Sequence, residues 1–435
     1  MMPRLSLFPL TANVNDKGHL IIGGCDTVDL ADRFGTPLYL LDEKSLRSKC
    51  AEFKAKFSQR YADTTVIYAC KAFINGALTL IFKEEGLGLD VATGGELYIA
   101  QSAGFPMDRV YFPGNNKSSE ELRLALKYHI SRIVVDNLHE LKMLNDIAKE
   151  LKANPDILLR LSPGVDPHTH KHLATGVIDS KFGIPMASGE EAVAQAMSAP
   201  HLNLAGLHFH IGSQIAETEP YQQAIRIILN FAAEMRQKHG FELYELSVGG
   251  GFAIQYTLDS PAPPVSTHAE AIVSSIIDNC RELKLALPRL TIEPGRAIVG
   301  QAGVALYRAG VVKDIPGVRR YVSVDGGMAD NIRPALYGSK YEAVVANKMS
   351  AEEAEEVTIA GKFCESGDIL VKDISLPPVS AGDIIAIPNC GAYCLPMASN
   401  YNSSLKPAII LVKEGKARLI RRRETFDDLT RCDLV

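Results

Sequence analysis

The sequence predicts an α/β protein: a (β/α)8 TIM barrel followed by an all-β domain that the N-terminal segment completes. Three observations carry this reading. Between residues 64 and 296, eight short runs rich in β-branched residues alternate with amphipathic segments. The turn after the first run, Tyr68-Ala-Cys-Lys-Ala72, is not glycine-rich, so the doubly wound dinucleotide-binding alternative lacks its fingerprint. Past the eighth unit the chain becomes strand-rich and turn-rich.

Taken in order, residues 18–22 and 37–41 read as short N-terminal strands. The eight runs are 65–69 (TVIYA), 87–92 (LGLDVA), 109–113 (RVYFP), 132–136 (RIVVD), 157–161 (ILLRL), 204–210 (LAGLHFH), 244–248 (YELSV) and 290–293 (LTIE). Between them, Thr93-Gly-Gly-Glu96, Ser118-Ser-Glu-Glu121, Ser188-Gly-Glu-Glu191 and Thr267-His-Ala-Glu270 have the capping-box pattern. Apolar residues recur at three-to-four spacing in 122–130, 138–151, 221–238 and 269–285. Strands are then expected at 304–314, 321–324, 356–360, 383–387 and 408–413. The expected division is 1–37 joining the β-domain, 38–300 as the barrel and 301–435 as the β-domain.

Composition narrows the function classes. The 435 residues carry 46 Lys+Arg against 51 Asp+Glu, a net charge of −5, so no basic surplus points to nucleic acid or to an anionic membrane. No apolar run reaches the roughly 18 residues that span a bilayer. Eight scattered cysteines are too few for a disulfide scaffold and read as reduced thiols in a cytoplasmic protein.

In a barrel, chemistry belongs at the C-terminal strand ends. There the first run ends in Lys71, the second carries Asp90 and the sixth ends in His208-Phe-His210-Ile-Gly-Ser213. The seventh ends in Gly249, Gly250 and Gly251, and the eighth in Glu293-Pro-Gly-Arg296. Each has a plain alternative. Lys71 is either a solvated loop residue or, flanked by Cys70, Ala72 and Phe73, an amine of lowered pKa suited to Schiff-base chemistry. The triglycine is either a tight bend or a cradle of bare N–H groups for phosphate. The Glu-Pro-Gly-Arg turn is either a surface ion pair or a buried carboxylate beside a phosphate-binding guanidinium. His210 either packs in the barrel or stacks on a ring; His208 reads as structural. Together the set specifies a pyridoxal-phosphate site. Lys71 holds the aldehyde as an imine, the glycines and Arg296 hold the phosphate, and Glu293 keeps the pyridine nitrogen protonated.

These motifs, with Gly206-Leu-His-Phe-His-Ile-Gly-Ser-Gln214, resemble the fold-type III, alanine-racemase-like pyridoxal-phosphate decarboxylases. Further motifs are similar to the branch of that family acting on meso-2,6-diaminopimelate. They are His168-Thr-His-Lys171 with Asp179-Ser-Lys-Phe-Gly183, Asn331-Ile-Arg-Pro-Ala-Leu-Tyr-Gly338, Cys364-Glu-Ser-Gly-Asp368, and Cys390-Gly-Ala-Tyr393 with Met397-Ala-Ser-Asn-Tyr401. The resemblance implies decarboxylation of that amino acid to L-lysine, with pyridoxal 5′-phosphate as cofactor. It also implies a homodimer whose active sites lie at the subunit interface.

Carried over by resemblance, Lys71 forms the imine, Asp90 positions it, and His210 stacks on the ring. Ser213, Gly249, Gly250, Gly251, Glu293, Gly295, Arg296 and Tyr393 contact the cofactor. Arg296, Arg333, Tyr337, Glu365 and Tyr393 contact the substrate. Cys364 returns a proton to the product carbanion, and Cys364 and Glu365 come from the partner subunit. The residue types fit: a diamino-dicarboxylate offers a distal carboxylate to Arg333 and a distal ammonium to Glu365. Cys390 and Cys394 lack the second Cys/His pair of a zinc site, and His168, His170 and His172 read as a polar loop, so no metal is expected. The competing readings are a decarboxylase of ornithine, arginine or D-lysine, a racemase, a metal hydrolase using His208 and His210, and a non-catalytic regulatory homologue.

Overall fold

The computed structural model describes residues 3–166 and 180–434. The chain forms two compact units: Cys50–Ala253 with Ala262–Gly295, and Met1–Lys49 with Ile254–Pro261 and Arg296–Val435.

The first unit is the barrel. Its strands are β1 (Thr64–Ala69), β2 (Gly88–Asp90), β3 (Val110–Phe112), β4 (Arg132–Val135), β5 (Asp156–Ser162), β6 (Asn203–His208), β7 (Glu245–Ser247) and β8 (Arg289–Ile292). Each pairs in parallel with the next, and β8 closes on β1 with Leu290 opposite Thr64. All eight predicted runs are strands because each is short, apolar and flanked by helix. That is the pattern of a parallel strand buried on both faces.

Inside, Ile67, Tyr111, Val134, Leu158 and Ala205 form an apolar cluster. Toward the N-terminal end, buried Glu245 accepts hydrogen bonds from Tyr111 (2.8 Å), Thr291 (2.8 Å) and Arg132 (3.0 Å). A carboxylate so partnered is satisfied, and its position marks it as part of the scaffold.

The helix starts were only partly legible. Ser118 and Glu121 make both halves of a capping box ahead of Ser119–Lys127. Thr93 caps Gly94–Ser102 by accepting from the Glu96 N–H, but the Glu96 carboxylate turns to the Ala92 N–H at 2.7 Å. Ser188 makes no side-chain cap, since a 3-10 turn, Met186–Ser188, runs straight into Gly189–Ser198. Thr267 lies inside the helix Val265–Glu282, which begins directly after Pro264. A pattern match cannot tell a start from an interior turn when the preceding backbone is already compatible with the helix.

The second unit is built on a mixed sheet. Its strands include β9 (Gly303–Ile315), β10 (Arg319–Val324), β11 (Glu355–Ala360), β12 (Ile369–Leu376), β13 (Ile384–Ile387), β14 (Ala408–Lys413) and β15 (Lys416–Arg421). The strand Leu38–Asp42, which the sequence reads as an N-terminal strand but the expected boundary at 37/38 assigns to the barrel, lies between β9 and β14. It runs antiparallel to β9 and parallel to β14, and all five residues are buried. Its partners are hundreds of residues away, so nothing in its local pattern announces them. Leu20, Ile22, Leu38, Leu40, Val304, Leu306, Ile384, Ile410 and Val412 share the core of this unit. All eight cysteines are free thiols, and no helix among the described residues is long and apolar enough to cross a membrane.

Candidate active site

The barrel gathers one group of the expected residues. β1 runs into a 3-10 turn, Cys70–Ala72, in which Cys70 and Ala72 are buried and Lys71 is exposed. Lys71 is thus exposed between buried apolar neighbours, because in a tight turn neighbours in sequence point to different sides. Across the strand ends, Asp90 is buried and its carboxyl is pushed well up, first by burial and then by Glu293, with Lys71 opposing. Among the described residues Asp90 Oδ1 has no hydrogen-bond partner.

The turn after β7 has no room for side chains. A Cβ on Gly249 would sit 2.6 Å from the Phe209 carbonyl oxygen, and on Gly250 only 2.0 Å from that of Glu293. Gly251 has φ of 100°, a conformation open to glycine. The backbone is pinned from both sides. The Gly250 N–H donates to His210 Nδ1 (3.1 Å), and the Gly250 carbonyl accepts from the Tyr221 hydroxyl (2.8 Å). That bond makes Nδ1 of His210 an acceptor, so its hydrogen sits on Nε2. Burial, then the charges of Lys71 and Arg160, hold the His210 pKa well below the usual value, leaving a neutral ring.

Glu293, at the end of β8, is 4% exposed. Burial alone would raise its carboxyl. His208 Nε2, 3.0 Å from Oε1, and the Ser247 hydroxyl (2.7 Å) outweigh that and hold the carboxyl below the usual carboxylate range. Glu293 is thus an anion enclosed by imidazoles. His208, read from sequence as structural, touches it directly. Arg160 was missed altogether. It stands on β5, 3.7 Å from Asp136 and over the Phe182 ring at 4.7 Å, and it acts electrostatically on Asp90, His210 and Glu293. Its signal was present: one arginine inside the apolar run ILLRL. Ser213 is exposed and Gly295 packs against the Ala69 backbone, where a Cβ would meet its carbonyl at 2.9 Å.

The sheet unit gathers a second group. Arg296 opens the short helix Arg296–Val299 and donates to the Tyr256 hydroxyl at 2.6 Å. Its guanidinium lies over the Tyr393 ring at 4.6 Å and the Tyr256 ring at 5.7 Å. Arg333 shares both rings, at 5.2 Å from Tyr256 and 5.9 Å from Tyr393. Two cations on two aromatic faces make a site for anions with an apolar wall. Tyr256 gave no sequence signal. Arg333 begins the helix Arg333–Tyr337; it is buried, its Nη2 donates to Ser339 (3.2 Å), and its Nε has no partner among the described residues. Tyr337, four residues on, is exposed.

Cys364 and Glu365 are exposed. The Cys364 N–H donates to Asn402 (3.0 Å) and its carbonyl accepts from the Tyr401 hydroxyl (3.3 Å). Asp368 fixes the preceding residue, accepting from the Phe363 N–H at 2.9 Å, and accepts from the Met328 N–H at 2.6 Å. Tyr393 is held at φ of 59°, a conformation a tyrosine keeps only when its surroundings impose it. Buried Cys394 donates to Asn331 (3.4 Å). Residues 168–172 of the histidine tract, and Asp179, lie outside the described residues.

These geometries meet close counterparts. Residues 43–300 match the family model described as pyridoxal-dependent decarboxylase, pyridoxal binding domain. A diaminopimelate decarboxylase of Bacillus subtilis (strain 168) is 46% identical over 98% of this chain and 97% of its own length. One from Synechocystis sp. is 43% identical over 100% and 94%. The crystal structure of diaminopimelate decarboxylase from M. jannaschii in complex with L-lysine is similar with a TM-score of 0.93 and 35% identity, covering 98% of both chains. On both sequence and fold, the chain belongs to the diaminopimelate decarboxylase family of pyridoxal-dependent decarboxylases.

Proposed function

We propose that this protein decarboxylates meso-2,6-diaminopimelate to L-lysine, the last step of lysine biosynthesis, with pyridoxal 5′-phosphate as its cofactor. The observation that carries the reading is Glu293, a buried carboxylate held ionised at the end of β8. An anion there keeps a pyridine nitrogen protonated, which favours decarboxylation over racemase chemistry. The barrel fits the group on two counts: the Gly249, Gly250 and Gly251 turn admits no Cβ at its first two positions, and buried Asp90 Oδ1 has no partner among the described residues.

The cofactor supplies an aldehyde for the substrate amine and a ring that accepts the electron pair left when carbon dioxide departs. This chain's residues do the rest. Lys71 anchors the aldehyde and Asp90 steadies the amine. Neutral His210 offers a ring face, and Ser213, the three glycines, Gly295, Arg296 and Tyr393 hold the remainder of the cofactor. Arg296, Arg333, Tyr337 and Tyr393 bind substrate, with Arg333 on its distal carboxylate and Glu365 on its distal ammonium. Cys364 delivers a proton to the α-carbon and regains one from solvent. The working form is a cytoplasmic homodimer in which Cys364 and Glu365 serve the site of the partner subunit.

The test is carbon dioxide release from diaminopimelate, ornithine, arginine and both lysine enantiomers. Release from diaminopimelate alone is expected; preference for a substrate without the distal carboxylate would overturn the specificity. Borohydride reduction followed by peptide mapping should label Lys71, and a label elsewhere would overturn the mechanism.

A further inference from the structure

The two oxygens of Glu293 have different surroundings. Oε1 accepts the Ser247 hydroxyl at 2.7 Å and lies 3.0 Å from His208 Nε2. Among the described residues, no hydrogen bond reaches Oε2. The strand register explains the convergence. His208 on β6 pairs opposite Ser247 on β7, so the two side chains meet the same carboxylate oxygen.

His208 is 1% exposed, and neither ring nitrogen makes a hydrogen bond among the described residues, although Nε2 lies 3.0 Å from Oε1 of Glu293. A histidine that serves only packing would bury these polar atoms at a cost an aliphatic residue avoids. Of the two ring nitrogens, Nε2 is the one that faces the carboxylate.

We propose that His208 is a positioning residue for the reaction: with Ser247 it pins Oε1 of Glu293, so that Oε2 is presented as a charged acceptor to the cofactor's ring nitrogen. This rests on the pyridoxal-phosphate reading above. Lys71, Asp90, Arg160 and His210 complete the charged and titratable groups acting on this cluster. His208 acts through Glu293 and touches neither substrate nor cofactor.

The experiment compares His208→Leu, which keeps bulk and removes the polar ring facing Oε1, with His208→Gln, which keeps an N–H group able to reach it, in cofactor-loaded protein. The readouts are the pH titration of the bound cofactor's visible absorption and the split between kcat and KM. His208→Leu is expected to move the titration midpoint by about one unit or more and to lower kcat roughly 100-fold with little change in KM. His208→Gln should keep the wild-type midpoint and lose less than about tenfold in kcat. A wild-type titration in His208→Leu, or equal loss in both variants, overturns the proposal. If His208→Leu does not fold, Ser247→Ala removes the hydroxyl donor to the same oxygen, and an unmoved midpoint there overturns it equally. Wild-type protein that fails to trap cofactor on Lys71 would sink the proposed function instead, so the two failures are distinguishable.

Discussion

Asp330 offers a pH-dependent stability that can be worked out from its surroundings. It stands three residues before Arg333 and is 4% exposed. Oδ1 accepts from the Tyr307 hydroxyl (2.6 Å) and the Tyr39 hydroxyl (3.3 Å), and Oδ2 from the Gly327 N–H (3.0 Å). Burial raises its carboxyl and these donors only partly offset that, so it titrates at about 7. Against about 3.9 in an unfolded chain the difference is about 3 units, or about 4 kcal/mol. The folded pKa is the higher one. The protonated native state therefore has its full advantage below about pH 4, and stability falls as pH rises toward about 7. Asp330→Asn removes this dependence. Its amide meets the Gly327 N–H donor to donor, so at acid pH the variant should be about 1–3 kcal/mol less stable than wild type. Above pH 7 it should be the more stable of the two. Chemical denaturation from pH 4 to 8, at one protein concentration, would show the curves crossing. Curves that stay parallel within about 1 kcal/mol would mean that Asp330 is ionised in the native state, and the burial argument would fail.

Gly250→Ala puts a methyl group where the Glu293 carbonyl oxygen lies 2.0 Å away. The end of β7 or β8 must shift, and cofactor affinity by equilibrium dialysis should fall about tenfold or more; unchanged affinity would refute the cradle. Arg333→Lys loses the flat guanidinium shared by Tyr256 and Tyr393, so KM for diaminopimelate should rise about tenfold with kcat less affected. Cys364→Ala should bind cofactor normally and turn over about 10²- to 10⁴-fold more slowly. Full turnover in that variant would reassign the proton donor.

The barrel was legible because its strands and helices announce themselves locally, through short apolar runs and three-to-four periodicity. The rule that chemistry sits at C-terminal strand ends then turned Lys71, Asp90, His210, Glu293 and the triglycine into candidates without any contact being known. The limits were set by non-local pairing. Leu38–Asp42 has the same apolar pattern as a barrel strand, yet lies between β9 and β14, and only those distant partners decide its place. Lys71 shows the same limit at one residue, since its apolar flanks are buried while its own side chain is not.

The charge on Glu293 is the furthest case. A glutamate in a buried strand end would ordinarily take up a proton as burial raises its pKa. Whether it does here depends on which side chains the register of β6 and β7 aligns beside it. The sequence motif contains His208 and Ser247 but not their convergence. One residue of slip in that pairing would turn the Ser247 hydroxyl away from the carboxylate while leaving every motif intact. The motifs therefore name the participants, and the cross-strand register decides whether the glutamate arrives as the anion that the chemistry requires.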